Sequence, residues 1–504
     1  MSIRLLCTAA LFACAFAVGC EGCVSSEPGP DAEPAAEPDD GDAGGLDPDV
    51  NADGGEPDVG GDGGEPGVGP VDDGGEPDVV VDDGGGFVSG RDAFCAGSGG
   101  LIPTNVGGDR VCSGDIAARS FRYALCTCDD LVTSGQVVTA GFDSQTNQSN
   151  LAAAVGTNGG LTSSLPLDIG GSLWVAGNNG LVTSADVTVG GALLSGGRVV
   201  TGPGDLDVGQ FAMVNGDVIA GTTSVGGDFT VPDGALVQTS GMPNVVRADV
   251  DVPPPCDCAA EHRVDVAGIV NAQQDFAHND DVGLVADAFA NVNETTSHTF
   301  ECGRYRLVGI AGSGDLTFTI RGRVALFVDG DITTGGTFTI ELDGADAELD
   351  LFVNGGWTGG QATTIGDTER PRAVRMYLNG DVNLSGDLAV AANVSSPTGA
   401  LTLSGDNTLH GSFLVRRVSS SGTLDITYDA AVLALSDDCD EDVVVDDDGG
   451  MSVDAGDPPG DTCDSCRDCD NQACTDGTCG ACVDNADCCA PLFCLEGTCT
   501  YLSL

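Results

Sequence analysis

The sequence predicts an all-β chain centred on a parallel β-helix, a solenoid of short strands. A small helical, disulfide-bearing N-terminal cap, disordered acidic linkers and a small disulfide-rich tail module complete it. Three observations carry this. VALFVDGD at Val324 returns as LDLFVNGG at Leu349, VRMYLNGD at Val374 and GALTLSGD at Gly399, each 25 residues after the last, and LDITYDAA at Leu424 keeps the register. Within each copy apolar residues alternate with period two, as in Val324/Leu326/Val328 and Leu349/Leu351/Val353, so one side of every strand faces a core. The cysteines fall into two even-numbered groups, which in an exported chain reads as two disulfide frameworks.

The elements follow in chain order. Residues 1–19 hold one basic residue and a run from Leu5 to Val18 that is apolar apart from Thr8, too short for a stable membrane span but suited to a signal peptide. AVGC, ending at Cys20, resembles the bacterial lipobox, whose cysteine carries lipid; LFAC, ending at Cys14, is an earlier and shorter match. Glu21 in place of aspartate favours the outer membrane. Residues 20–90 form an acidic tether in which DGGEP recurs at Asp53, Asp62 and Asp73. With 20 acidic and no basic residues over 24–90, it cannot bury enough apolar surface to offset backbone entropy, and it spans roughly 45 Å as a coil.

The β-helix domain is expected over 91–435. Ala117, Phe121, Ala124 and Leu125 fall at i, i+4, i+7 and i+8, predicting an amphipathic helix within a cap over 91–130 that Cys95, Cys112, Cys126 and Cys128 pin down. Such a cap would cover unpaired strand edges at the solenoid end. Ile169, Val189, Val208 and Val225 begin looser repeats, 20, 19 and 17 residues apart. The rhythm stops over 242–297, an expected insertion that packs on the solenoid with a short helix. Corners follow the 25-residue strands at Asp329-Gly330, Asn354-Gly355, Asn379-Gly380 and Ser404-Gly405, where glycine supplies left-handed backbone and the polar residue satisfies corner groups. An acidic linker over 436–462 leads to the tail, 463–504, with Cys463, Cys466, Cys469, Cys474, Cys479, Cys482, Cys488, Cys489, Cys494 and Cys499. So small a unit has little core, and disulfides must hold it. Cys256, Cys258, Cys302 and Cys439 complete the central group.

Composition excludes several chemistries. All 18 basic residues are arginines, so a Walker phosphate loop, a pyridoxal Schiff base and a Ser-x-x-Lys pair, each needing a lysine amine, drop out. A net charge of −60 repels nucleic acid and anionic headgroups and leaves calcium as the one counterion to consider, with no metal or cofactor site assigned. Phe327, Phe352 and Tyr377 share an outward position in successive coils and would stack at about 4.8 Å. They form either a satellite core under the insertion or an open platform for a glycan or partner. Asp331, Asp381 and Asp406 repeat in register with Arg375 nearby, which suits turn chemistry or, alternatively, the carboxylates of a polysaccharide lyase or hydrolase. The four histidines, His262, His278, His298 and His410, are scattered.

SFRYALCTCDDL, PPCDC, ECGRYRLVGI and LTLSGDNTLHGSFLVRRVSSSGTLDITYDAAVL, within 91–436, together resemble the β-helix lipoproteins of Gram-negative bacteria that carry a domain of unknown function. The resemblance implies an exported β-helix and brings no catalytic residue with it. The tail from Cys482, with adjacent Cys488 and Cys489, resembles cystine-knot-like modules. The expectation is therefore a lipid-anchored outer-membrane or cell-surface protein that binds an extracellular glycan or protein ligand without catalysis. The alternatives are the enzyme and an inhibitor-like or signalling effector acting through the tail.

Overall fold

The structure, a computed structural model, describes residues 121–435 except 242–243 and 275–276, with short elements between Val80 and Ser120 and two hairpins in the tail. Cys20, Cys112, Cys439, Cys463, Cys466, Cys469, Cys482, Cys488 and Cys489 lie outside the described residues, as do the signal segment, the linker and most of the tether. The hairpins Ala473–Thr475 with Thr478–Gly480 and Phe493–Leu495 with Thr498–Thr500 set Cys474 opposite Cys479 and Cys494 opposite Cys499.

The chain winds as a three-sided parallel solenoid. One turn runs along Leu125–Thr127, Leu131–Thr133 and Val137–Asp143, and the next turn begins at Val155–Thr157. On the second and third faces the strands are often only three residues long, with outer residues buried and the middle one facing out, as in Leu131–Thr133, Leu161–Ser163 and Leu167–Ile169. A strand this short survives because each backbone group pairs with the coil above or below and the inward residues join one apolar core. Inward Ser and Thr close the corners: Thr133 Oγ1 donates to Gly135 O at 3.0 Å and Ser163 Oγ to Leu165 O at 2.7 Å.

The order in which coils stack is not the order of the chain. Leu125–Thr127 pairs on one side with Val155–Thr157 and on the other with Phe413–Val415, at the opposite end of the domain. Leu424–Asp429 likewise pairs in parallel with Val137–Phe142 over six positions. Stacking therefore begins at Gly303–Leu307, proceeds to 424–429, continues without a break into 125–143, and ends at Val245–Arg247. The solenoid is circularly permuted: residues 121 and 435 both lie at the seam in its middle.

Residues 248–295 must then carry the chain from one solenoid end to the other, and they do so as a strap over the first face. Val250, Val252 and Cys256 pack with Trp174, Leu194 and Leu414. Cys126–Cys256 and Cys128–Cys258 fasten the strap at the seam, and an added Cβ on Gly156 would come within 2.8 Å of Cys126 Sγ. Asn158 reinforces the fastening, its Nδ2 donating to Cys256 O and its Oδ1 accepting from Cys256 N, both at 2.9 Å. Among the described residues four short α-helices accompany the solenoid: α1 (Gly90–Ala96), α2 (Ser113–Ser120), α3 (Val266–Ala272) and α4 (Asn279–Val282). Helix α3 starts at Asp265, whose Oδ1 accepts from Gly268 N at 2.9 Å, and buries Val266, Ile269 and Val270 against the strand Glu348–Val353. Each such side chain contributes roughly 1.5–3 kcal/mol by burial.

The solenoid end at Gly303–Leu307 is closed by mimicry of another strand. His278 N donates to Arg304 O at 2.7 Å, and His278 Nδ1 accepts from Arg304 N at 3.0 Å. Asn279 does the same one step on, its Nδ2 donating to Arg306 O and its Oδ1 accepting from Arg306 N, both at 2.8 Å. Helix α1 joins this end through Cys95–Cys302, with Phe94 beneath the guanidinium groups of Arg304 and Arg323.

The β-helix with few, short helices agrees with the sequence, and four local expectations are corrected. Cys126 sits in the first solenoid strand and Cys128 just past its end, and both hold the strap, not a cap. The helix containing Ala117 stops at Ser120, because Leu125 is claimed by the parallel ladder with Phe413. The 25-residue register joins Val324, Leu349 and Val374 in one ladder, but Arg375 pairs with Asn393 and Val382 with Leu401. The copy at Gly399 therefore continues the second face, and the copy at Leu424 the third. Coils shorten there because Leu388–Ala391 passes to Asn393 across one residue, whereas earlier coils spend longer turns at that corner. Finally, Gly405 (φ +80°) turns the chain from the second to the third face, whereas Gly330, Gly355 and Gly380 turn it from the first to the second without left-handed backbone. Those three are glycines because coils crowd: a Cβ on Gly355 would lie 2.2 Å from Asp331 Oδ1.

Candidate functional site

The strap decides which surface is open. Phe327, Phe352 and Tyr377 do stack, with ring centroids 5.4 and 4.9 Å apart and planes within 13°, but all three are at most 1% exposed. Phe121 adds a fourth ring, 5.5 Å from Tyr377. The open-platform reading is corrected: these rings are core between solenoid and strap. The Tyr377 hydroxyl is buried without a hydrogen-bond partner, and burial raises its pKa well above the ordinary phenol value.

The suggested catalytic grouping also separates. Arg375 is buried on the first face, its Nε 2.5 Å from Asp350 Oδ1 and its Nη2 3.1 Å from Glu348 Oε2. Those carboxylates outweigh burial and hold the guanidinium charged. Asp331, Asp381 and Asp406 lie at corners, each accepting a backbone N–H of the next coil at 2.8 Å: from Gly356, Ala400 and Thr423 respectively. The Thr423 bond lowers the Asp406 pKa. Asp186 and Asp205 repeat the device at 2.9 and 2.8 Å. It offsets the loss of ladder hydrogen bonds where the chain bends. Among the histidines, His278 closes the solenoid end, His298 packs with Phe289 and Phe300, and His262 Nδ1 meets Asp257 Oδ1 at 2.7 Å on the strap. No cluster of three or more potential metal ligands occurs among the described residues.

Among the described residues nothing covers the second face, and its outward row runs through the whole stack. Ala311, Thr333, Thr358, Asn383, Thr402 and Ser419 stand in register on one side of the seam. Val132, Thr162, Val182, Val200, Ile219 and Gln238 stand in register on the other. Ser134 Oγ donates to Ser420 O across the seam at 3.1 Å, bringing the two rows together. At about 4.8 Å per coil the row extends roughly 50 Å. It carries no charge, in a chain with 78 acidic residues, whereas the third face places Glu341, Asp425, Asp168 and Asp207 among its outward positions. Part of the second face is an open groove of about 350 Å³, lined by Asp331, Thr333, Thr358, Asp381 and Asn383, with Asn354 and Asn379 along its side. Asn379 Nδ2 donates to Asn354 Oδ1 at 3.0 Å, which fixes the outward amide edge.

This surface was missed in the sequence because its residues are ordinary solvent-face Thr, Asn and Val. The missing signal was the absence of charge at a position that becomes visible only when coils are aligned face by face.

A family model described as a domain of unknown function (DUF7305) matches residues 249–435. The match takes in the strap and every coil from 296 to the seam, and leaves out 121–247. No curated protein and no solved structure matches the chain.

Proposed function

We propose that this chain is an exported lipoprotein, anchored through Cys20 to the outer membrane or cell surface, in which a rigid solenoid binds an extended extracellular ligand. The observation that carries the reading is the continuous uncharged row of the second face, left bare by a strap that covers the first. A ladder of fixed coils is preorganised, so an extended partner loses little free energy to ordering the protein. The Ala-Val-Gly-Cys sequence and the acidic tether support anchoring and distance from the headgroups. The corner aspartates spend an oxygen each on backbone caps, which favours binding over acid/base chemistry.

The test combines anchoring with retention. Cells carrying the full chain should incorporate labelled palmitate into it and hold extracellular polymer at their surface; Cys20→Ala cells should release both protein and polymer into the medium. New reducing ends in the medium would instead favour a lyase or hydrolase, and retention lost on deleting 463–504 would favour the tail as the binding part.

A further inference from the structure

The chemistry of the groove narrows the ligand. Along the bare row, Asp331 and Asp381 stand at one margin, Asp315 and Asp406 at the other. Each commits Oδ1 to a backbone N–H of the neighbouring coil, Asp315 to Thr337 N at 3.0 Å and the others as described. At Asp331 and Asp381, which line the groove, the bond fixes the direction of the second carboxylate oxygen, which serves as an acceptor at its edge, whereas Asp315 Oδ2 already accepts from Thr295 Oγ1 at 3.4 Å. The groove's margin at Asp331 and Asp381 thus asks for hydrogen-bond donors, while the floor beside it is uncharged. On one side of the seam that floor offers Thr and Asn; on the other it is mostly aliphatic, through Val182, Val200 and Ile219.

Resting on the reading of this face as a binding surface, we infer that its ligand is a neutral, hydroxyl-rich polysaccharide lying along the solenoid axis. Sugar hydroxyls supply donors to the margin carboxylates and exchange hydrogen bonds with Thr333, Thr358 and Asn383. The C–H faces of pyranose rings suit the aliphatic part of the floor. An extended glycan repeats its hydroxyls along its length as the coils repeat theirs, at about 4.8 Å. An anionic polymer meets carboxylate margins and a net charge of −60. A cationic polymer is drawn to the whole acidic chain without needing this face, and that attraction is screened by salt.

The experiment is co-sedimentation of the mature full-length chain with insoluble neutral glycans (cellulose, curdlan, mannan), de-esterified pectate and chitosan, in 0.05 and 0.5 M NaCl. Thr358→Arg places a charge on the floor, and Thr364→Arg places the same charge on the exposed third face, with circular dichroism confirming both fold. The expected result is retention on at least one neutral glycan at both salt concentrations, reduced at least tenfold by Thr358→Arg and unchanged by Thr364→Arg. Neutral-glycan retention equally insensitive to both variants would overturn the assignment to this face. Retention only on chitosan or pectate, sensitive to Thr358→Arg, would overturn the ligand class while leaving the binding face standing. Retention on no polymer, together with no polymer held by intact cells, would overturn both.

Discussion

The two bridges of the strap should stabilise the fold cooperatively, and by an amount fixed by loop lengths. Cys126–Cys256 and Cys128–Cys258 each span 130 residues in sequence. With neither in place, closing a loop of that length restricts the unfolded chain by about 5 kcal/mol at 25 °C in the chain-entropy treatment. With one in place, the second closes only a ring of a few residues and adds about 2 kcal/mol. Removing either bridge as a pair of Cys→Ala substitutions should therefore cost about 2 kcal/mol, while removing both should cost about 7, some 3 more than the two single losses combined. Cys95–Cys302, with its separation of 207, stays closed throughout and trims the larger figure by under about 1 kcal/mol. Guanidinium unfolding of the four proteins, compared at a common m value, measures the difference. Equal costs of about 5 kcal/mol for each single loss, or strict additivity, would refute the picture of two parallel bridges closing one loop.

Three further outcomes follow from the packing. Phe352→Ala should cost about 3–5 kcal/mol in chemical unfolding, because its ring is enclosed between Phe327 and Tyr377, and Phe352→Asp should not accumulate as folded protein. Tyr377→Phe removes a buried hydroxyl that has no partner and should leave stability unchanged or raise it by about 1 kcal/mol; a clear loss would mean the hydroxyl is bonded. His278 is held neutral in the end closure, its pKa lowered from 6.5 to about 4 by burial first and by Arg304 second. Since the unfolded histidine takes its proton more readily, this contribution is complete above pH 6.5. It falls away as pH drops through 4, by at most roughly 3 kcal/mol. His278→Asn, which can still accept from Arg304 N, should flatten the unfolding free energy between pH 4 and 6.5 relative to the wild type, and an unchanged slope would remove His278 from this role.

How much of this was legible in the sequence depends on which contacts are local. The alternation at Val324, Leu349 and Val374 and the Ile169, Val189, Val208, Val225 series each describe one coil repeating on the next, so they gave the solenoid directly. The permutation could not be read this way. Phe413 against Leu125 and Leu424 against Val137 are pairings of common core residues nearly 300 positions apart, no different in type from those a sequential stack would make. The aromatic ladder was found in the right register, but its burial depends on where α3 and Phe121 come to rest, which nothing in VRMYLNGD encodes. The corner glycines were found for a partly wrong reason, since crowding between coils, not left-handed backbone, selects glycine at 355. Ser404-Gly405 joined the same set only because a spacing of 25 persisted after the coils had shortened.

The permuted stack underlies the unbroken second face, and cross-strand thiol pairing tests it most directly. Val138 and Asp425 are adjacent at the seam. Val138→Cys with Asp425→Cys should form an intramolecular disulfide under mild oxidation, identified by mass spectrometry of the linked peptides. Gln238→Cys with Ala311→Cys, which would be neighbours if the coils stacked in chain order, should not link. The reverse pattern, a bridge between 238 and 311 and none between 138 and 425, would contradict the fold and the continuous binding face derived from it.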